Sequence, residues 1–359
     1  MRNESLTAGD LFKFDYFKCL RSEFAKNECR ICIDLCPEGA MVFDRTKLTL
    51  DTEVCTACAA CVGSCPTEAL ISETFDPNRF ALEFSQQKNP KISCKENVPC
   101  LAALSSEHLI TIALRKEGEI FCDLAHCEGC SINRDNRILE TIETMIDEAE
   151  RFLQIFESEK RIERVRELPD DAPETGRRGL LKKLVNVANE VNEETTMTEL
   201  MNLSGEKQPL KRILLKNSLK MAAEKFSEET TVEADFSFVV NKTIDAQTCT
   251  NCQECAMFCP TEALSILQDN TGIIFQMGKC IACSICDDVC QPGSIHSDKT
   301  FDLVTFTFDR MQLLVKHTLE ICEECKVAFP YRGGERVCDR CKDFRANHGD
   351  LFTMARDME

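Results

Sequence analysis

Cysteine thiols at a regular spacing are the main chemical feature of this sequence. From residue 249 the chain reads Cys-x2-Cys-x2-Cys-x3-Cys-Pro, and from residue 280 it repeats Cys-x2-Cys-x2-Cys-x3-Cys. Three thiolates at this spacing wrap one turn of backbone around a corner of an iron–sulfur cube, and the fourth faces away and reaches a second cube. The spacing predicts two [4Fe–4S] sites, site C of Cys259, Cys280, Cys283 and Cys286, and site D of Cys249, Cys252, Cys255 and Cys290.

Eight cysteines in two copies of this spacing have few other uses, so a disulfide or zinc site is a poor alternative. The run resembles bacterial two-cluster ferredoxins over about residues 235–300. The resemblance implies a βαββαβ plan, with short helices after Cys36, Cys65, Cys259 and Cys290. Short strand pairs are expected at Met41–Leu50, with a turn at Asp44-Arg45, and at Leu264–Gln276, with a turn at Asp269–Gly272.

Residues 1–75 contain a second, altered copy of the motif. Its later half is intact, and the Cys-Pro-Thr-Glu-Ala-Leu sequence at residue 65 recurs at residue 259. Its earlier half lacks one cysteine, because Lys26 occupies the expected position, and Cys19 could fold back to replace it. A three-ligand [3Fe–4S] cluster, or a Cys19 that is merely buried, is the alternative. We predict site A of Cys36, Cys55, Cys58 and Cys61, and site B of Cys19, Cys29, Cys32 and Cys65.

Residues 86–160 form a different, middle unit. Ile92–Cys94 and Glu119–Asp123 read as strands, and Cys100–Arg115 and Arg137–Glu157 as helices. Cysteines fall at loops and strand ends, where they could clasp a metal, and Cys122 is expected in the core. This pattern weakly resembles the small iron–sulfur delta subunit of methanogen-type hydrogenases, which hands electrons between larger subunits. We predict a further cluster, with [2Fe–2S] as one candidate, at site M, while a dithiol redox pair and inert core thiols are the alternatives. Site M comprises Cys94, Cys100, Cys127 and Cys130.

Residues 161–234 contain no cysteine and form a helical arm. After an acidic, proline-containing linker, apolar stripes beginning at Leu180 and at Ile213 predict two amphipathic helices. These helices pack either within the chain or on a partner subunit.

The end of the chain carries another metal motif. A β-like stretch, Phe301–Phe308, and an apolar helix, Met311–Leu319, are expected before it. Two Cys-x2-Cys pairs twelve residues apart then predict a tetrahedral four-sulfur site, in which zinc is the first choice and mononuclear iron the second. This site Z comprises Cys322, Cys325, Cys338 and Cys341.

The expected fold class is α+β in five units. They are the first module (1–85), the middle unit (86–160), the helical arm (161–234), the second module (235–310) and a zinc-ribbon-like C-terminal unit (311–359). The formal net charge of −18 argues against a nucleic-acid partner and favours a basic docking surface on a redox partner. No apolar segment long enough for membrane insertion is found. The 25 cysteines, with no signal peptide, indicate reduced thiols in a cytoplasm poor in oxygen.

The function expected from these sites is electron transfer. Dinucleotide-binding, Walker A and radical-SAM motifs were not found. We therefore expect a non-catalytic subunit in a hetero-oligomer, which relays single electrons to or from larger subunits such as a hydrogenase or formate dehydrogenase. An iron–sulfur redox sensor or metalloenzyme maturation factor is the alternative. A third reading is an enzyme in which the middle cysteines catalyse thiol–disulfide exchange.

Overall fold

The computed structural model describes residues 11–24, 26–44, 47–155, 159–167, 200, 207–226 and 231–348. In this part of the chain the helices are α1 Leu20–Glu23, α2 Ile31–Asp34, α3 Ala60–Ser64, α4 Pro77–Gln86, α5 Ser106–Arg115, α6 Arg137–Gln154, α7 Leu210–Met221, α8 Glu254–Met257, α9 Ile285–Val289, α10 Leu303–Thr307 and α11 Asp339–His348. The strands are β1 Phe12–Phe14, β2 Met41–Asp44, β3 Lys47–Leu50, β4 Leu70–Ser72, β5 Lys91–Ile92, β6 Ile120–Asp123, β7 Ile162–Val165, β8 Thr231–Glu233, β9 Asn241–Ile244, β10 Leu264–Ile266, β11 Gly272–Gln276, β12 Ile295–Asp298, β13 Thr300–Asp302, β14 Met311–Lys316, β15 Leu319–Ile321 and β16 Ala328–Pro330.

The two cysteine-rich modules share one strand plan. In the first module β1 pairs with β4 and β2 with β3, and in the second β9 pairs with β12 and β10 with β11. Every one of these pairs is antiparallel. The strand pairs expected at 41–50 and 264–276 are therefore confirmed, although Arg45 of the first turn lies outside the described residues.

The short helices of the modules do not lie where we expected them. We placed them after Cys36, Cys65, Cys259 and Cys290, and this was wrong: α2, α3, α8 and α9 each end one or two residues before these cysteines. A proline follows the first three cysteines directly and disfavours helical backbone at the residue before it. After each of these four cysteines the backbone instead makes a tight turn and enters the next strand.

The middle unit is a small parallel sheet with helical crossovers. Its strands run in the order β5-β6-β7, and α5 and α6 connect them in sequence. Strand β7 lies in residues that we expected in the helical arm, so the middle unit extends past residue 160. The helix expected from Cys100 begins only at Ser106, after a 3-10 turn at Leu101–Ala103, because Ser105 caps it. Helix α6 likewise stops at Gln154, before the expected Glu157. Parallel strands bring their carboxyl ends to one edge, so the loops after β5 and β6 meet there.

Helix α7 of the arm packs inside the described structure. Its apolar stripe, including Ile213, Leu214 and Leu215, is buried, and it lies against α5. The packing expected within the chain is therefore present for this helix. The other predicted helix, which begins its stripe at Leu180, lies outside the described residues.

Two expectations near the C-terminus were wrong. The apolar segment from Met311 forms strand β14 rather than a helix, and it pairs with β11 of the second module. Most of the expected strand Phe301–Phe308 forms helix α10, which Asp302 caps by accepting a hydrogen bond from the backbone N–H of Thr305 at 2.6 Å. A short apolar run is compatible with either structure, and here the capping residue and the free edge of β11 decide between them.

A phenylalanine cluster joins the middle unit to the second module. The ring of Phe152 on α6 lies 5.4 Å from Phe236, 5.6 Å from Phe301 and 6.0 Å from Phe306, measured between centroids. Edge and tilted contacts at these separations add to the gain from burying the rings. The units are therefore packed together. No helix in the described part of the chain is long and apolar enough to cross a membrane.

Glutamates at equivalent positions of the two modules contact the arm differently. Substituting each of them therefore compares the contribution of the two contacts to stability. Glu68 accepts hydrogen bonds from the backbone N–H of Leu210 (2.6 Å) and from Asn78 (2.9 Å), whereas Glu262 makes an exposed ion pair with Lys207. Both glutamates have a φ of 54°, so the strain at the two positions is matched.

We predict that Glu68→Ala lowers the free energy of unfolding by about 1–3 kcal/mol, because it removes the cap of α7. Glu262→Ala should change this free energy by less than about 0.5 kcal/mol, because exposed ion pairs contribute little. Urea unfolding of both anaerobic variants measures the difference. Equal losses in the two variants would contradict this account of the α7 cap.

Candidate metal centres

The cysteines of site A surround one cavity in the first module. Cys36, Cys55, Cys58 and Cys61 line it, together with apolar side chains such as Met41. Helix α3 carries Cys61, while Cys55 and Cys58 lie in the loop before this helix. The structure therefore brings together the set predicted for site A.

The cysteines of site B line a second cavity, and Cys19 is among them. Cys19 is the residue that precedes helix α1, and it lines the same cavity as Cys29 and as Cys32, which lies on α2. Cys65, which follows α3, completes the set. The structure therefore places Cys19 with Cys29, Cys32 and Cys65, and its role as the fourth ligand stays a prediction.

The second module repeats both arrangements. Cys249, Cys252, Cys255 and Cys290 of site D line one cavity. At site C, burial raises the pKa of Cys283 to about 12, and the nearby thiols of Cys280 and Cys259 contribute to the rise. Burial is also the largest cause of the raised pKa of Cys286, and the thiols of Cys280 and Cys283 add to it. The predicted groups of four are therefore spatial neighbours.

The backbone of three cysteine loops follows one pattern. Left-handed φ angles occur at Ala57 and Ala59, at Asn251 and Gln253, and at Ala282 and Ser284. Such angles cost strain in residues other than glycine, and they persist where the surroundings require them. Successive N–H groups in this kind of turn form a concave site for an anionic group, as in many iron–sulfur proteins. The loop of Cys29 lacks the pattern, since Arg30 has a φ of −131°.

Each fourth cysteine receives a hydrogen bond from the turn that follows it. The residue three positions later is left-handed in all four cases: Gly39, Glu68, Glu262 and Gly293. The next backbone N–H donates to sulfur at Cys36 (3.2 Å), Cys65 (3.3 Å) and Cys290 (3.2 Å). Hydrogen bonds of this kind stabilise thiolate and help to set the potential of a bound cluster.

Burial favours the protonated form of two thiols in these sites. It raises the pKa of Cys32 and of Cys255 to about 12, with neighbouring thiols adding to the effect. A bound metal reverses this preference, because its positive charge deprotonates the coordinating thiol. Converging thiols and sulfur-directed N–H groups therefore fit an iron–sulfur cluster in sites A to D, and the left-handed loop backbone adds to the fit at sites A, C and D.

Site M lies at the carboxyl edge of the parallel sheet. Cys94 follows β5, and Cys127 and Cys130 follow β6. Burial raises the pKa of Cys127 to about 11, and the charges of Cys94 and Cys130 contribute, so the three thiols are close. Cys100 faces the same group, since Cys127 and Cys94 also raise its pKa. Cys122 is fully buried within β6, as expected for a core residue.

The sites adjoin one another in the order M, A, B, C, D. The thiol of Cys58 in site A is close enough to raise the pKa of Cys100 in site M, and Cys32 of site B does the same to Cys61 of site A. Gly63 permits the first contact, because a Cβ there would lie 2.5 Å from the backbone of Ala103. In the second module, α8, which carries Cys255 of site D, is in contact with α9, which carries Cys286 of site C.

One asparagine bridges sites B and C across the module boundary. The buried Asn27 side chain accepts a hydrogen bond from the N–H of Cys29 (3.0 Å) and donates to the carbonyl of Cys283 (3.4 Å). Beside it, the rings of Phe24 and Phe258 lie 5.5 Å apart. The two modules therefore face each other through their ligand loops.

Site Z is more compact than the other sites. The sulfurs of Cys322, Cys325, Cys338 and Cys341 all lie within 4.8 Å of one another. The sulfurs of Cys325 and Cys338 are 3.7 Å apart, close to the edge of about 3.8 Å of a tetrahedron with metal–sulfur bonds of about 2.3 Å. Burial raises the pKa of Cys322, whereas hydrogen bonds from backbone N–H groups at Cys338, Cys325 and Glu324 lower it. The hydrogen bonds outweigh burial, so the net shift of this pKa is downward. The site fits a single metal ion.

Sequence reasoning missed the charged residues that join the modules. Lys211 and Arg212 on α7 are buried at 4% and 1% exposure. Lys211 Nζ donates to the carbonyl of Cys65 at 2.7 Å, and Arg212 donates to the carbonyl of Cys280 at 2.5 Å. The signal was a lysine and an arginine placed directly before the apolar residues Ile213 to Leu215.

Comparisons with known proteins support the two cysteine-rich modules. The 4Fe-4S binding domain family matches residues 48–71 and 242–265, one segment in each module. An uncharacterised ferredoxin of Methanocaldococcus jannaschii is 31% identical over 55 residues, which is 14% of this chain and 71% of that protein. The chain therefore belongs to the ferredoxin family and contains two ferredoxin-like modules of the 4Fe-4S type.

Proposed function

We propose that this protein relays single electrons between partner oxidoreductases through a row of iron–sulfur clusters. The observation that carries the proposal is the unbroken succession of cysteine sites M, A, B, C and D, in which neighbouring sites adjoin through the segments that carry their cysteines. A set of isolated clusters would not need such contacts. In a relay, consecutive sites must be neighbours.

The cysteines of sites A to D would each hold a [4Fe–4S] cluster, which supplies one-electron reduction and oxidation when bound. The residues of the chain would bind each cluster, orient it and shield it from water. Backbone N–H groups donate to the sulfurs of Cys36, Cys65 and Cys290, and apolar side chains such as Met41 exclude water. These groups tune potential through hydrogen bonding and burial.

The net charge of the protein indicates what kind of surface a partner would present to it. A net charge of −18, made more negative by thiolate-bound clusters, would steer the protein toward a basic surface on a larger redox subunit. A hydrogenase or formate dehydrogenase is the class we propose, in a hetero-oligomer. The thiol-rich chain suits a reducing, oxygen-poor cytoplasm.

Site M would extend the row by one cluster. Its four cysteines converge from the loops after β5 and β6 and from the turn at Cys100, which packs on α3 of the first module. A position at the end of the row suits entry or exit of electrons. Site Z would hold zinc, which has no redox chemistry and so serves structure.

The relay predicts that removing one ligand in the middle of the row interrupts it. Cys19→Ser should remove the cluster of site B or convert it to another type, and the spectra of the other sites should stay unchanged. It should also abolish most of the reoxidation of the reduced protein by a co-purifying oxidoreductase. Electron paramagnetic resonance (EPR) and stopped-flow absorbance under anaerobic conditions measure both effects.

Cys122→Ala, which removes a thiol outside every site, is the matched control and should behave like the unmodified protein. Reoxidation at the original rate in Cys19→Ser, despite loss of the site B signal, would exclude the relay. An unchanged site B spectrum would show that Cys19 is not a ligand.

Site M predicts a loss of iron that is independent of the two modules. Cys127→Ser should lower the iron content by about two to four atoms per chain and leave the EPR signals of sites A to D in place, whereas Cys122→Ala should leave the iron content unchanged. Iron and sulfide analysis of anaerobic protein measures this difference. The same iron content in both variants would rule out a cluster at site M and favour a dithiol or structural role.

Site Z predicts one zinc ion per chain. Cys341→Ser should abolish this zinc while the iron content of the other sites stays constant, because the site takes one metal through four sulfurs. Metal analysis by mass spectrometry distinguishes the two metals. Extra iron in place of zinc, lost in the same variant, would assign mononuclear iron instead.

A further inference from the structure

Helix α7 presents two adjacent buried cations to the two modules. Lys211 Nζ donates to the carbonyls of Cys65 (2.7 Å) and Gly63 (3.4 Å) in the first module. Arg212 donates to the carbonyls of Cys280 (2.5 Å) and Gly278 (3.2 Å) in the second. One cation therefore faces the ligand loop of site B and the next faces that of site C.

The two cations differ in how their charge is balanced. Arg212 is paired with the buried carboxylate of Glu107 at 2.6 Å. Across the described residues, no carboxylate lies within ion-pair distance of Lys211 Nζ. The nearby carboxylate of Glu68 instead accepts the backbone N–H groups of Leu210 (2.6 Å) and Lys211 (3.1 Å).

A buried ammonium group without a counter-ion is unfavourable, and two carbonyl dipoles do not neutralise it. Among the anionic clusters that the cysteine sites would hold, that of site B is the one whose ligand Cys65 offers its carbonyl to Lys211 Nζ, at 2.7 Å. At site C, by contrast, the second buried cation, Lys242, is already paired with Asp287 at 2.7 Å. The two buried cations beside site C, Arg212 and Lys242, are therefore each paired with a protein carboxylate.

We propose that Lys211 is the counter-ion of the cluster at site B and holds its potential above that of the facing cluster at site C. The proposal rests on the proposed function, because it assumes that both sites hold clusters. A nearby positive charge that nothing else neutralises stabilises the reduced, more negative state, whereas a paired cation does so much less.

This asymmetry gives the row a direction across the module boundary. One electron leaves site C, which is oxidised, and enters site B, which is reduced, and no proton or bond is exchanged. Asn27, which bridges Cys29 and Cys283, lies on this crossing. The second module is then the donor side of the relay and the first module the acceptor side.

An EPR-monitored redox titration of the full-length anaerobic protein tests the proposal. Lys211→Met should shift the potential of one cluster to a more negative value, and that cluster should be the one whose signal Cys19→Ser removes. Lys211→Arg, which keeps the charge, should restore most of the shift. Lys220→Met removes an exposed lysine of the same helix and should shift nothing.

Unmoved potentials in Lys211→Met, with all cluster signals intact, would overturn the inference and leave the relay standing. Absence of cluster signals from the unmodified protein would instead overturn the proposed function. If Lys211→Met does not fold, Lys211→Gln tests the same charge, because it removes the charge and keeps a hydrogen-bond donor for the carbonyls of Cys65 and Gly63. It should shift the site B potential in the same direction, and an unchanged value would overturn the proposal.

Discussion

The arrangement of this molecule depends on buried cations of helix α7 that hydrogen-bond to the carbonyls of ligand-bearing cysteines. Lys211 contacts the loop of Cys65, and Arg212 contacts the loop of Cys280. A charged group in the interior is stable only where polar partners surround it. Two modules that could each fold around their own thiols are thereby held in one orientation, with their ligand loops facing each other.

This constraint explains why the arm lies between the modules in sequence. The arm starts beyond the middle unit, and α7 packs on α5 of that unit while it reaches both ferredoxin-like modules. A linker of flexible composition would leave the distance between the cysteine sites undefined. A helix with two cations at adjacent positions defines it, because neighbouring side chains on a helix point in different directions.

The thiols that the cysteine spacing groups together lie together in the structure, and their role as cluster ligands stays a prediction. Chemistry restricts which cysteines can share a cube, so sites C and D followed from spacing, and Cys19 followed from one missing ligand and a nearby spare thiol. The placement of the short helices could not be predicted from the resemblance alone. It depends on turns in which Glu68 and Glu262 adopt left-handed backbone, which residue type does not signal.

Other features were hidden for related reasons. Strand β14 has an apolar sequence that would also suit a helix, and only the free edge of β11 decides its structure. Lys211 and Arg212 were missed because lysine and arginine lie mostly on solvated helix faces, and their burial depends on partners distant in sequence. Spacing rules describe local ligand loops, whereas contacts such as that of Asn27 with Cys283 join residues far apart in the chain.

An electron relay through this protein requires the cysteine sites to form one continuous row across both modules. Anomalous X-ray scattering at the iron edge, from crystals of the anaerobically prepared protein, locates each cluster directly. The account predicts iron at sites M, A, B, C and D in that spatial order, with sites B and C facing each other beside Asn27. Iron confined to two separated pairs, with the modules turned away from each other, would contradict it.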